Sequence, residues 1–163
     1  MLKVIQITDT HLSEPGQTLW GMDPYKRLGA AFEDIRTFHS DARACIISGD
    51  LTDSASPEAL LWIKDYLADF PISTYLMIGN HDVRSIFFDV FQTYPKDANG
   101  FLQYSFNLAE AQFLCLDTKK DQPGSSGQYC AKRMTWLKNK LKNTAKDPEK
   151  FAAKNVPKDV EPP

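Results

Sequence analysis

At 163 residues, 25% charged and 42% hydrophobic, the chain has the length and composition of one soluble domain with a core of its own. A formal net charge of −2 leaves no basic footprint for nucleic acid or an anionic membrane. No apolar run approaches the roughly 18 residues of a membrane span, and Met1-Leu2-Lys3-Val4 enters a strand without a signal-peptide core, so a cytoplasmic location is expected. Residues 3–8 are apolar and rich in β-branched side chains, as in a buried strand. A loop from Leu12 to Pro24 follows. From Tyr25 to His39, Leu28, Ala31, Phe32, Ile35 and Phe38 recur at helical spacing and form one apolar stripe. Residues 44–48 read as a second strand. Ser56-Pro57-Glu58 then has the order of a helix start: hydroxyl cap, first-turn proline, and an acid near the positive end of the dipole. Leu60, Ile63 and Leu67 continue that helix, Pro71 stops it, and a third strand runs from Thr74 to Ile78. Strand alternating with helix predicts an α/β fold with a parallel βαβαβ sheet and right-handed crossovers.

Beyond residue 80 the pattern changes. Ile86, Phe87, Val90 and Phe91 suggest a short helix, and Leu102 to Leu108 with Phe113 to Leu116 read as a hairpin around Ala109-Glu110-Ala111-Gln112. Asp121 to Gly127 is a loop. Met134, Leu137 and Leu141 mark a last amphipathic helix. From Thr144 to Pro163, lysines alternate with acids and prolines and large apolar residues are nearly absent, so residues 1–143 form the expected domain and 144–163 a disordered tail. Cys45, Cys115 and Cys130 are odd in number and lack zinc-knuckle spacing, which predicts reduced thiols.

Three apolar runs end in polar residues: Asp9-Thr10-His11, Ser48-Gly49-Asp50 and Gly79-Asn80-His81-Asp82. In an open parallel sheet, sites form beyond the carboxyl ends of the strands, so these ends should converge. In an extended backbone residues two apart face the same side, so Asp9 and His11 can both reach one ion while Thr10 points away. Asp50 has two oxygens and can bridge to a second ion; Asn80 offers an amide oxygen. Mixed oxygen and imidazole ligands suit Mn, Fe or Zn over calcium. Two such ions about 3.5–4 Å apart can acidify a shared water and clamp both oxygens of a phosphoryl displacement. His81 is then free to contact phosphate or protonate a leaving group, with Asp82 orienting its ring. Singly, Asp-x-His and Gly-Asp are ordinary strand-end polarity; Gly-Asn-His-Asp has no obvious structural use and is the sharpest signal. His39 reads as a helix end, Trp62 and Trp136 as core. Trp20 and Tyr25 either cover a substrate group or pack over the strand ends.

These residues resemble the pattern of the calcineurin-like metallophosphoesterases: Asp-x-His, then Gly-Asp, then Gly-Asn-His-Asp, matched by Asp9, His11, Gly49, Asp50, Gly79, Asn80, His81 and Asp82. Ile7 to Leu12, Leu19-Trp20-Gly21 and Tyr104 to Asp117 look most like the branch that cleaves cyclic nucleotides and glycerophosphodiesters. The resemblance covers about residues 1–141 and implies a two-metal site: Asp9, His11 and Asp50 on one ion, Asp50 and Asn80 on the other, and His81 near the phosphate. It implies a metallophosphoesterase sandwich of which only the first half is present, acting on a small phosphodiester. The family's later histidines, one after a further strand and two in Gly-His-x-His, have no counterpart here, since the histidines are His11, His39 and His81. Two expectations follow: the front half of a longer hydrolase, or a shortened noncatalytic relative acting as a scaffold. Either leaves a sheet face for a partner chain or oligomer to cover.

Overall fold

The computed structural model describes residues 2–122 and 124–145. The tail expected from Thr144 onward therefore lies outside the described residues, apart from Thr144 and Ala145, which end a helix. The chain forms two compact units, one from Met1 to Tyr94 and a second beginning at Pro95.

The first unit contains β1 (Val4–Thr8), α1 (Pro24–Phe38), β2 (Ala44–Ser48), α2 (Pro57–Ala68), β3 (Thr74–Leu76) and α3 (Arg84–Val90). The sheet order is β1-β2-β3, with both pairings parallel, as the strand–helix alternation predicts. β2 is the central strand, and its Ala44, Cys45 and Ile47 are fully buried. The expectation of a buried strand at residues 3–8 needs correction: none of the five residues of β1 is buried, because β1 is an edge strand with one neighbour. β3 is shorter than expected, ending at Leu76, although the Met77 amide still donates to the Ile47 carbonyl at 2.8 Å. On its outer side the Leu76 amide donates to the Tyr94 hydroxyl at 2.6 Å. A phenol thus satisfies one donor that an edge strand would otherwise expose.

Both crossover helices start as their sequences require. Asp23 caps α1 by accepting from the amides of Tyr25 and Lys26, and Ser56 Oγ caps α2 by accepting from Ala59. Their aromatic faces meet: Phe32 of α1 stacks on Tyr66 of α2 at 4.6 Å and lies 5.0 Å from Phe70. Fully burying a side chain such as Phe32 contributes on the order of 1.5–3 kcal/mol. His39 ends α1 as expected, its amide donating to Ile35. Trp62 is half-buried, edge-on to Tyr25 at 5.2 Å.

The second unit contains the hairpin of β4 (Tyr104–Leu108) and β5 (Ala111–Cys115), then α4 (Ala131–Ala145). The turn is tighter than expected, only Ala109 and Glu110, with Ala109 at φ 52°. Phe106 and Phe113 pair across the strands as parallel rings 4.9 Å apart. In α4 only Leu137 of the expected apolar stripe is half-buried, and the deeply buried side chain is a cation. Met134 and Leu141 are 37% and 52% exposed, whereas Arg133 is 1% exposed. Its guanidinium donates to the carbonyls of Asp117 and Gln128 and lies 4.2 Å from the centroid of Phe101. Hydropathy marks Arg133 as surface, and only its acceptors make burial affordable. Nearby, Asp97 accepts from the amides of Asn99 and Phe101 and from Gln103 Nε2. Burial opposes its ionisation, but those donors outweigh burial and hold the carboxyl below its ordinary range.

The thiols divide into two kinds. Cys45 and Cys115 are buried, and burial pushes both up to about 11. Cys130 immediately precedes α4; hydrogen bonding from the Arg133 amide lowers its pKa. Thiolate is the reactive form. A disulfide reagent at pH 7.5 is therefore expected to titrate Cys130 rapidly in the native protein and the other two only after denaturation. Cys130→Ser should abolish the fast phase; a fast phase that survives it contradicts this assignment.

Candidate metal centre

The parallel register that pairs Thr8 with Ser48 continues past the ends of both strands. Asp9 N donates to Ser48 O at 2.9 Å, His11 N to Asp50 O at 3.0 Å and Leu12 N to Leu51 O at 3.0 Å. Two polar loops therefore leave the sheet side by side. The backbone does not stay extended, however: Asp9 and His11 lie at φ 55° and 42°. Alternation along a strand is thus not what places their side chains. Asp and His are among the residues that enter this left-handed region most readily, which is why this dipeptide-spaced pair tolerates it.

His11, Asp50 and His81 meet at one point, with a ligand atom from each lying within 4.8 Å of the others. Asp50 is 6% exposed; its Oδ1 accepts from the His81 amide at 2.9 Å. Its Oδ2 faces His11 Nε2 at 3.6 Å and His81 Nε2 at 4.0 Å. These separations exceed hydrogen-bond length. On the far side of each ring stands Asp53: its carbonyl is 2.6 Å from His81 Nδ1, and its Oδ1 is 3.2 Å from His11 Nδ1. A carbonyl only accepts, so His81 carries its proton on Nδ1; the same holds for a neutral His11 beside a carboxylate. Both rings then turn an Nε2 lone pair toward Asp50. Imidazoles whose other nitrogen is held by a carbonyl or carboxylate are the usual form of metal-ligating histidine. The donor set fits a divalent transition ion.

Asp9 is not part of this trio; its carboxylate lies against Gly49, where an added Cβ would sit 2.9 Å from both oxygens. Thr8 Oγ1 donates to it. Asp9 and His11 also border a cavity of about 220 Å³ on the α1 side of the first unit. Asn80 is exposed on the loop between Gly79 and His81. Asp82, expected beside the His81 ring, points the other way: its oxygens accept from the amides of Leu51, Thr52 and Gly79 and from the Thr52 hydroxyl, all at 2.8–3.0 Å. It ties the loop after β3 to the loop after β2, and the ring is oriented by Asp53. Asp53 escaped the sequence reading. Its signal is faint, a third acid in Asp50-Leu51-Thr52-Asp53, with nothing to mark it from loop polarity.

The Calcineurin-like phosphoesterase family model matches residues 2–159. The chain belongs to the calcineurin-like phosphoesterases. Among curated proteins it is 34% identical over 147 residues to a probable cyclic nucleotide phosphodiesterase of Rhodopseudomonas palustris, covering 90% of this chain and 54% of that protein. It is 26% identical to a 3',5'-cyclic-nucleotide phosphodiesterase of Nostoc, covering 98% of this chain and 58% of that one. It is 25% identical to a probable glycerophosphodiester phosphodiesterase of Arcobacter nitrofigilis, covering 85% and 51%. The chain thus spans about half the length of the curated relatives it matches. In this calcineurin-like phosphoesterase, the parallel three-stranded sheet and the antiparallel hairpin are consistent with a partial metallophosphoesterase fold, and His11, Asp50 and His81 form a possible metal site that differs from the expected ligand set in taking in His81. No helix among the described residues is long and apolar enough to cross a membrane.

Proposed function

We propose that the chain carries part of a metal-dependent phosphodiester hydrolase, acting on substrates of the cyclic nucleotide or glycerophosphodiester type. One observation carries this reading: two histidine Nε2 atoms turned onto a single buried carboxylate oxygen at 3.6 and 4.0 Å, with their Nδ1 atoms fixed by Asp53. Asp9, His11 and Asp50 would hold one ion, and Asp50 with Asn80 a second. Iron, manganese or zinc there would polarise the phosphoryl oxygens and acidify a bound water. The chain's own groups do the rest. Asp50 sets the spacing of the cluster, because its Oδ1 is locked by the His81 amide while Oδ2 stays open. His81 is kept for the substrate in this reading: although its Nε2 stands where it could also take an ion, it contacts the phosphate and, when protonated there, passes that proton to the departing oxygen.

Calorimetric titration of the chain with Mn²⁺, Zn²⁺ or Fe²⁺ tests the site, followed by hydrolysis of a chromogenic phosphodiester. The expected result is binding that Asp50→Ala weakens at least tenfold and turnover that the same change abolishes. Failure of every ion to bind, or indifference to Asp50→Ala, overturns the proposal. A noncatalytic scaffold is the second reading, favoured by a cluster that, among the described residues, brings together His11, Asp50 and His81 without Asp9. Measurable turnover lost on Asp50→Ala excludes it.

A further inference from the structure

The cavity beside Asp9 and His11 has an unusual rim. Leu19 and Met22 exchange both backbone hydrogen bonds, Leu19 N to Met22 O at 2.8 Å and Met22 N to Leu19 O at 2.9 Å. Between them Trp20 and Gly21 both have positive φ, 48° and 76°. This is a two-residue turn of the type that wants Asn or Gly at its first central position. Trp20 occupies that position instead. A bulky residue in left-handed backbone is strained, and strain of this kind points to function when the side chain contributes no burial. Trp20 contributes almost none: it is 83% exposed while lining the cavity with Leu19, Met22 and Arg27. An indole held in solvent at the expense of backbone comfort, lining a cavity that Asp9 and His11 also line, is placed for a ligand.

We propose that Trp20 is the stacking platform for the nucleobase of the substrate, so that the phosphodiester cleaved is nucleoside-bearing and not glycerol-bearing. This rests on the phosphodiester reading above and narrows it. The cavity's volume of about 220 Å³ falls below the roughly 300–1,000 Å³ of sites that enclose a drug-sized ligand, so it suits one ring system and not a whole substrate. Its lining is apolar on the side of Leu19 and Met22, matching the face of a base. Arg27, its Nη1 3.6 Å from Met22 Sδ, adds a cation that suits the edge of a base or a phosphate oxygen. A planar heterocycle gains from an exposed indole face, whereas a glycerol group has no π-surface to offer.

The test is calorimetric binding of adenosine 5′-monophosphate and of glycerol 3-phosphate to the full chain with Mn²⁺ present. The expected result is a preference of about tenfold for the nucleotide, lost in Trp20→Leu, largely kept in Trp20→Phe, with glycerol 3-phosphate unaffected by either. Trp20→Asn, which suits left-handed backbone, should raise the melting temperature while losing the same preference. Equal affinity for the two phosphates, equal weakening of both by Trp20→Leu, or a lower melting temperature for Trp20→Asn overturns the proposal. Trp20-dependent nucleotide binding by a chain that hydrolyses no phosphodiester sustains the subsite and removes the hydrolase reading, so the two fail separately.

Discussion

Asp82→Ala is expected to destabilise the fold by about 3–5 kcal/mol, the largest effect of any single change near the metal centre. The carboxylate is 1% exposed and accepts four hydrogen bonds, three of them from backbone amides in two different loops. Each buried donor left without an acceptor costs about 1–3 kcal/mol, and water entering the gap recovers part of the total. Burial pushes the Asp82 carboxyl above its ordinary pKa, and the hydrogen bonds pull against that without overturning it. The site thus tolerates the charge only because the donors are there. Asp82→Asn should be nearly as harmful. Its amide oxygen replaces one carboxylate oxygen, but its NH₂ then faces either the Leu51 and Gly79 amides at the place of Oδ2 or the Thr52 amide and hydroxyl at the place of Oδ1, so at least one N–H loses its acceptor. Thermal unfolding should show a drop of about 6–20 °C for both variants. A change of less than about 2 °C in Asp82→Ala would mean the clamp contributes little. Metal affinity should fall too, because the His81 amide that holds Asp50 Oδ1 belongs to the loop that Asp82 anchors.

Asp82 also shows where sequence reasoning stops. Apolar runs that end abruptly in Asp50 or in Gly79-Asn80-His81-Asp82 are legible, because a parallel sheet brings successive strand ends to one edge, and β1, β2 and β3 lie in that order. The helix start at Ser56 follows local rules of capping. What an acid does once there is not local. Asp82 and Asp53 are both loop acids near a histidine, yet one faces the interior as a backbone clamp and the other orients two rings. Their roles depend on loops 30 residues apart in sequence meeting across β2 and β3. The same limit explains Arg133, whose burial rests on the carbonyls of Asp117 and Gln128, and β1, whose apolar composition suggests burial that an edge position withholds. Positive φ at Asp9 and His11 is likewise invisible to a period-two pattern.

Gly79→Ala is expected to lower metal affinity at least tenfold and to cost about 1–3 kcal/mol of stability, although a methyl group is all it adds. The reason is space, not backbone freedom, since Gly79 is not among the residues with positive φ. A Cβ there would lie 2.1 Å from Asp50 Oδ1, 2.6 Å from Asp50 N and 2.7 Å from the carbonyl carbon of Gly49. Two of those three atoms are backbone, so no rotamer change relieves the contact. The loop after β3 must retreat, or Asp50 must turn away. Retreat stretches the His81 amide from Oδ1; rotation moves Oδ2 off the two Nε2 atoms. Either outcome separates ligands that now lie within 4.8 Å of one another. Gly29→Ala provides the contrast. That glycine lies inside α1 with nothing within 4 Å of an added Cβ, so alanine should stabilise by about 0.5–1 kcal/mol and leave metal binding unchanged. Calorimetric titration of both variants separates a local steric cause from a general sensitivity to substitution. Equal metal affinity in Gly79→Ala and wild type would show that the loops after β2 and β3 can part without disturbing Asp50.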